Sequence, residues 1–182
     1  VNVIRLRNSD ESVKRSSRKW VRGRNTVDWL IANLPQDAEF QLYLFNTEAR
    51  PALTSASKSW LSASQPQQVK AVVEALRETI PEGGTSLYKA LKTATQLEPR
   101  PDNIMLITDG LPTQGRQKPS STTVSSAQRL KHFKQAVRQL PRGVPVNTIL
   151  LPMEGDVYAA AAYWELAVNT RGSFLTPARD WP

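Results

Sequence analysis

The run Asp102-Asn103-Ile104-Met105-Leu106-Ile107-Thr108-Asp109-Gly110-Leu111-Pro112-Thr113 carries an apolar stretch straight into an Asp-Gly turn, which predicts the Asp109 carboxylate at the carboxyl end of a buried strand. In open α/β sheets ligands bind outside such strand ends, where loops converge and helix N-termini face the same space. A second segment, Pro81-Glu82-Gly83-Gly84-Thr85-Ser86-Leu87-Tyr88-Lys89-Ala90-Leu91, reads as a Gly-Gly turn feeding a helix with Thr85 or Ser86 as its N-cap. Hydroxyl and carboxylate oxygens are hard ligands, and the pair suits a magnesium-like cation that keeps part of its own water shell. Asp109 also has a plainer role open to it, since Asp-Gly is a common turn dipeptide. Pro112 would rigidify that turn, and Thr113 reads as an ordinary loop residue.

The elements that must position these groups alternate along the chain. A helix from about Ser17 to Asn33 carries Trp20, Val21, Leu30, Ile31 and Leu34 at helical spacing, and the strand Phe40 to Phe45 follows. A short extended piece near Ala52 to Thr54 leads to a helix opened by Pro66, with Val69, Val72, Val73, Leu76 and Ile80 on one face. The pattern continues with a helix Ser86 to Leu97, the strand Asn103 to Thr108, a helix from about Ala127 to Leu140, the strand Val146 to Leu151, a helix Val157 to Asn169 and a short strand Ser173 to Thr176. Such alternation predicts an α/β fold, doubly wound, with a mainly parallel sheet flanked by helices. Arg116 to Ser126 is polar and rich in Ser and Thr, as expected of a loop beside the site.

Composition narrows the class. The 182 residues, 40% hydrophobic and 7% aromatic, suit one globular domain over residues 1–182. There is no cysteine, hence no disulfide framework and no thiolate metal site. No apolar run is long enough to span a bilayer, and no signal peptide is visible. The formal charge is +8, and the basic segment 1–25 sets Arg5, Arg7, Lys14, Arg15, Arg18, Lys19, Arg22 and Arg24 against Asp10 and Glu11, a net +6. A basic arm suits an acidic partner, a membrane surface or nucleic acid, while its plain reading is a solvated helix face. Only Trp20 interleaves with these charges, which is thin provision for base stacking. His132, between Lys131 and Lys134, reads as a surface residue, whereas Trp29 and Trp164 read as core. No nucleophile elbow, Walker loop or dinucleotide fingerprint is present, so a binding module is expected rather than an enzyme.

Gly-Gly-Thr-Ser-Leu-Tyr-Lys-Ala-Leu followed by a strand ending Thr-Asp-Gly-Leu-Pro-Thr resembles a von Willebrand factor A domain of bacterial type, from about Asn25 onward. The resemblance implies a Rossmann-like fold and a non-enzymatic protein-protein interaction domain. It further implies a metal-ion-dependent adhesion site built from an Asp-x-Ser-x-Ser loop, a Thr and a second Asp, with Thr85 and Asp109 matching the last two. The implied cofactor is Mg2+ or Mn2+, and the implied partner is a protein that supplies an acidic side chain to the cation, with no small-molecule substrate. No Asp-x-Ser-x-Ser stands in this sequence. Either Val1 to Leu6 is the opening strand, with Asn8, Asp10 and Ser12 in a degenerate loop, or the first central strand and its loop lie upstream of Val1. Arg5 favours the second, because a central parallel strand is covered on both faces and an uncompensated charge there costs several kcal/mol. The resemblance also raises an N-terminal membrane tether, and a periplasmic or membrane-tethered location is favoured over the cytoplasm. Two alternatives stand beside it: a basic domain binding nucleic acid or an anionic surface, and a regulatory subunit of a larger ATP-driven assembly.

Overall fold

The computed structural model describes residues 9–56, 59–118, 123–151, 155–178 and 181. These form two compact units, one made of the described residues up to Leu44 with Arg50–Glu82, the other of Phe45–Ala49 and Gly83–Trp181. In chain order the elements are α1 (Glu11–Arg15), α2 (Arg18–Ala32), β1 (Glu39–Phe40), β2 (Tyr43–Phe45), β3 (Ala49–Pro51), a 3-10 turn (Thr54–Ala56), β4 (Leu61–Ser62) and α3 (Pro66–Glu78). They continue with α4 (Leu87–Ala94), β5 (Ile104–Thr108), α5 (Ser126–Val137), β6 (Val146–Leu150), α6 (Ala159–Thr170) and β7 (Phe174–Leu175).

In the first unit Pro66 opens α3, where its fixed φ suits the helix and its missing N–H is not needed. Val72 and Leu76, one turn apart on α3, are buried, and Val72 joins Ala56 and Leu61 in a small core against Ile31, Phe40, Leu42 and Leu53. Asp28 on α2 pairs with Arg77 on α3 at 3.4 Å, and Arg15 reaches Glu11 at 3.7 Å and Glu78 at 3.6 Å. Part of the basic N-terminal segment is therefore neutralised by neighbours.

The expected parallel strand Phe40 to Phe45 is not formed. Phe40 pairs with Leu61 in an antiparallel two-stranded sheet, while Tyr43–Phe45 pairs with Ala49–Pro51 in another. Gln41 lies at the break, and its side-chain amide donates to the carbonyls of Ala56 (2.9 Å) and Ser59. An amide committed to closing a loop holds its residue out of a ladder that strand pairing alone would continue.

The second unit holds a parallel sheet in the order β5-β6-β7, with Ile104 to Thr108 opposite Val146 to Leu150, and Thr148 and Ile149 opposite Phe174 and Leu175. Central β6 is buried at every position but Asn147, as expected of a strand covered on both faces. Outer β5 leaves Met105 half exposed and has no second neighbour among the described residues. Leu87 and Leu91 of α4, Phe133 and Ala136 of α5, and Ala162, Tyr163 and Leu166 of α6 close one core over Leu106, Val146 and Leu150. The rings of Phe133 and Tyr163 meet edge to face at 5.0 Å and 80°.

Helix α6 ends with Arg171 in the left-handed conformation, a position usually given to glycine. The glycine stands one residue later because Gly172 lies against the backbone of Val146, where a Cβ would collide with the carbonyl. Trp29 and Trp164, expected in the core, are exposed at 43% and 58%. On α6 the inward positions go to small Ala159, Ala162 and Ala167 with Tyr163 and Leu166, which turns Trp164 outward. His132, expected on the surface, is buried on the inner face of α5.

A candidate binding site at the strand ends

Three segments of the second unit converge at the carboxyl end of β5. The first is the tip 46–48, where the Asn46 N–H donates to the Glu48 carbonyl at 2.8 Å and the Asn46 side chain accepts from the Glu48 N–H at 3.0 Å. The second is Gly83–Ser86 and the third is Asp109–Gly115. Ser86 N–H donates to the Asn46 carbonyl at 2.6 Å, and the buried side chain of Gln114 donates to the Thr47 carbonyl at 3.0 Å. Lys89 on α4 pairs with Glu48.

Thr85 ties the second segment to the third through its backbone. Its carbonyl accepts from both Thr113 N–H and Gln114 N–H at 3.0 Å, and its own N–H donates to Thr113 Oγ1 at 2.8 Å. Gly84 has to be small here, because a Cβ on it would come within 2.8 Å of Thr113 Oγ1. Ser86 is the N-cap of α4, accepting from Lys89 N–H, while its hydroxyl donates to the Gly115 carbonyl at 2.8 Å. Among the described residues the Thr85 hydroxyl has no hydrogen-bond partner, and Thr85 is half-buried. It is left available to a ligand.

Asp109 follows β5 directly and is half-buried. The turn that carries it is held from three elements. Thr108 Oγ1 donates to the Gly110 carbonyl at 3.2 Å, and Tyr163 of α6 donates its phenolic O–H to the same carbonyl at 3.0 Å. Arg129 of α5 donates to the Leu111 carbonyl from Nε at 3.1 Å and from Nη2 at 2.5 Å. Asp156 accepts the Leu111 N–H at 2.6 Å and the Arg129 guanidinium at 2.8 Å, both on Oδ2. Full burial pushes the Tyr163 phenol far above its ordinary range, and the Asp156 and Asp109 carboxylates push the same way. Tyr163 therefore serves as a neutral donor to the turn.

Thr85 and Asp109, predicted together from sequence, thus lie on segments joined by direct hydrogen bonds. Asn8 lies outside the described residues. Asp10 is the exposed N-cap residue of α1, and Ser12 lies within α1, exposed. Thr113, read as an ordinary loop residue, is a bridge between segments. Gln114, Arg129, Asp156 and Tyr163 carried no local sequence signal, because each acts through a partner distant in the chain.

The donor chemistry of Thr85 and Asp109 fits a hard divalent cation, but two oxygen ligands fall well short of the about six that magnesium takes. Among the described residues no group of three or more His, Cys, Asp or Glu side chains is placed to hold a metal ion. Also among the described residues, no helix is long and apolar enough to cross a membrane.

Residues 10–134 match the von Willebrand factor type A domain. Among solved structures the chain is similar to the von Willebrand factor type A protein from Catenulispora acidiphila, with a TM-score of 0.63 and 17% identity over 93% of this chain and 36% of that one. The chain spans about a third of that protein's length, and the likeness is one of fold. No curated protein matches the chain.

Proposed function

Because the chain belongs to the von Willebrand factor type A family, an α/β, Rossmann-like family of interaction modules, we propose that it is a non-catalytic protein-protein interaction domain whose partner docks on the strand-end loops. The observation that carries this reading is the fused junction of residues 46–48, 83–86 and 109–115. It holds a Thr85 hydroxyl with no hydrogen-bond partner among the described residues and sets Asp109 at the end of a parallel strand. Thr85 and Asp109 would contribute to holding Mg2+ or Mn2+. Such a cation, when bound, offers an open coordination position to a carboxylate of the partner.

The remaining ligands, in this proposal, come from an apolar strand and an Asp-x-Ser-x-Ser-like loop encoded upstream of Val1. The free outer edge of β5, with Met105 half exposed, supports it, since an unpaired parallel edge offers a row of backbone donors and acceptors to a further strand. The test is thermal unfolding with and without manganese, on this chain and on a form extended upstream from its gene. A cation at about 100 times its dissociation constant stabilises by roughly 2.7 kcal/mol, a shift of several degrees. The extended form is expected to shift, the 182-residue chain not to, and Asp109→Ala in the extended form to lose the response. A shift that survives Asp109→Ala removes Asp109 from the site.

Binding of nucleic acid through the basic N-terminal segment receives less support, since Arg15 is engaged by Glu11 and Glu78. Its salt dependence would be steep between about 50 and 200 mM, and indifferent to chelator.

A further inference from the structure

From Gly110 to Met153 the sequence contains seven Lys and Arg residues and no Asp or Glu. One of them, Arg129, turns inward to Asp156. The other six, Arg116, Lys118, Lys131, Lys134, Arg138 and Arg142, are exposed, and none forms an ion pair among the described residues. Helices α1 and α3 answer a surface cation with a carboxylate one turn away, Glu11 with Arg15 and Glu74 with Lys70. Helix α5 has no carboxylate at all.

Lys131, Lys134 and Arg138 recur at i, i+3 and i+7 along one face of α5 and its C-cap. Like charges at this spacing repel and weaken a helix by a few tenths of a kcal/mol per pair. The same three residues border a shallow groove of about 360 Å3 whose remaining walls are Ala127, Leu130 and Gln135. Leu130 is half-buried, its inner side packed on the core, and Ala127 is exposed. The face therefore combines a row of unanswered positive charge with an apolar strip beside it.

We propose that this face of α5 docks an acidic amphipathic helix of a partner protein. Carboxylates one and two turns apart on that helix would meet Lys131, Lys134 and Arg138, and an aliphatic side chain between them would lie on Ala127 and Leu130. The charge row extends about 10 Å along the axis, two turns of a facing helix. Nucleic acid fits the surface less well. No aromatic side chain lines the groove, so there is no platform for a base, and the apolar strip has no counterpart in a phosphate backbone. This surface is separate from the strand-end site and does not depend on a cation.

The experiment is fluorescence anisotropy of a labelled helical peptide of about 18 residues, five turns, with Glu at i, i+3 and i+7 and Leu between them, titrated with the full 182-residue chain in the presence of chelator. Loss of three paired surface charges, with like charges put in their place, predicts about tenfold weaker binding for K131E/K134E/R138E. A control with the same net charge, R50E/K92E/R100E, reverses three exposed cations elsewhere and is expected to lose less than about threefold. A peptide with Lys in place of Glu should bind the α5 variant and not the wild type, which excludes misfolding as the cause. Equal losses in the two triple variants would reduce the effect to bulk charge and overturn the proposal. So would no binding of the acidic peptide, unchanged binding when its Leu residues are replaced by Ser, or tighter binding of an oligothymidylate through the same three cations. Because the titration is run in chelator, its outcome is independent of the cation-site reading.

Discussion

Replacing Arg129 with methionine tests whether the turn that carries Asp109 is held by a buried charge pair. Asp156 has a side chain only 1% exposed, Arg129 one that is 14% exposed, and between them they bind the N–H and the carbonyl of Leu111. Among the described residues Asp156 Oδ1 is buried without a hydrogen-bond partner, and Oδ2 carries the stabilising contacts. Removing the guanidinium leaves a buried carboxylate uncompensated, at a cost of about 3–5 kcal/mol. The Leu111 carbonyl also loses its side-chain donor, but the two losses share one network and do not add in full. That cost is a large fraction of the roughly 5–15 kcal/mol that holds a typical domain together. In thermal unfolding it corresponds to roughly 6–20 °C for a chain of this size. The double variant R129M/D156L removes both charges and should recover at least half of the loss, since an apolar pair often replaces a buried ion pair at little cost. Hydrogen exchange at the Leu111 amide gives a local readout, and protection there should fall in the double variant, which lacks the Asp156 acceptor. Arg129→Met within about 1 kcal/mol of wild type, or a double variant no better than the single, would refute the reasoning.

Gly172→Ala should destabilise by at least about 3 kcal/mol in urea unfolding, because its Cβ meets the Val146 carbonyl and backbone cannot step aside, whereas Gly143→Ala, at φ +78° with nothing within 4 Å, should lose only about 1–2 kcal/mol. Comparable effects at the two sites would show that α6 and β6 approach less closely than described. Ser86→Ala removes both the α4 cap and the bond to Gly115, and about 1–2 kcal/mol of stability should go with them; an unchanged unfolding midpoint would mean that water replaces the hydroxyl. Burial holds the His132 imidazole below its ordinary 6.5, opposed by hydrogen bonding of the ring to the Gln135 side chain and aided by the Lys131 charge, so the unfolded chain takes up a proton more readily than the folded one. Stability is therefore full above about pH 6.5 and declines as pH falls through the folded value. His132→Leu should flatten that part of the profile, and a variant with the wild-type slope would assign the titration to another group.

The alternation of helices and strands from Ser86 onward was legible because each element announces itself locally. Val146 to Leu150 is a strand apolar enough for both faces, Ser86 caps, and Asp109 ends an apolar run at an Asp-Gly turn. The Gly-Gly-Thr-Ser and Thr-Asp-Gly segments also identified the family, since both depend on short-range backbone requirements that a sequence states directly. Phe40 to Phe45 misled because a run of apolar residues defines a strand without naming its neighbour, and pairing with Leu61–Ser62 and Ala49–Pro51 took the place of the parallel sheet. Trp164 misled for a related reason. Helix α6 is apolar nearly all round, so periodicity does not select its inner face, and the close approach to β6 gives that face to alanines. His132 looked exposed among lysines until Gly115, lacking a side chain, made room beside it. The Arg129–Asp156 pair was beyond reach of any local pattern: its residues lie on different elements, and only the packing of α5 and the loop before α6 around the Leu111 peptide removes both charges from water and makes them depend on each other.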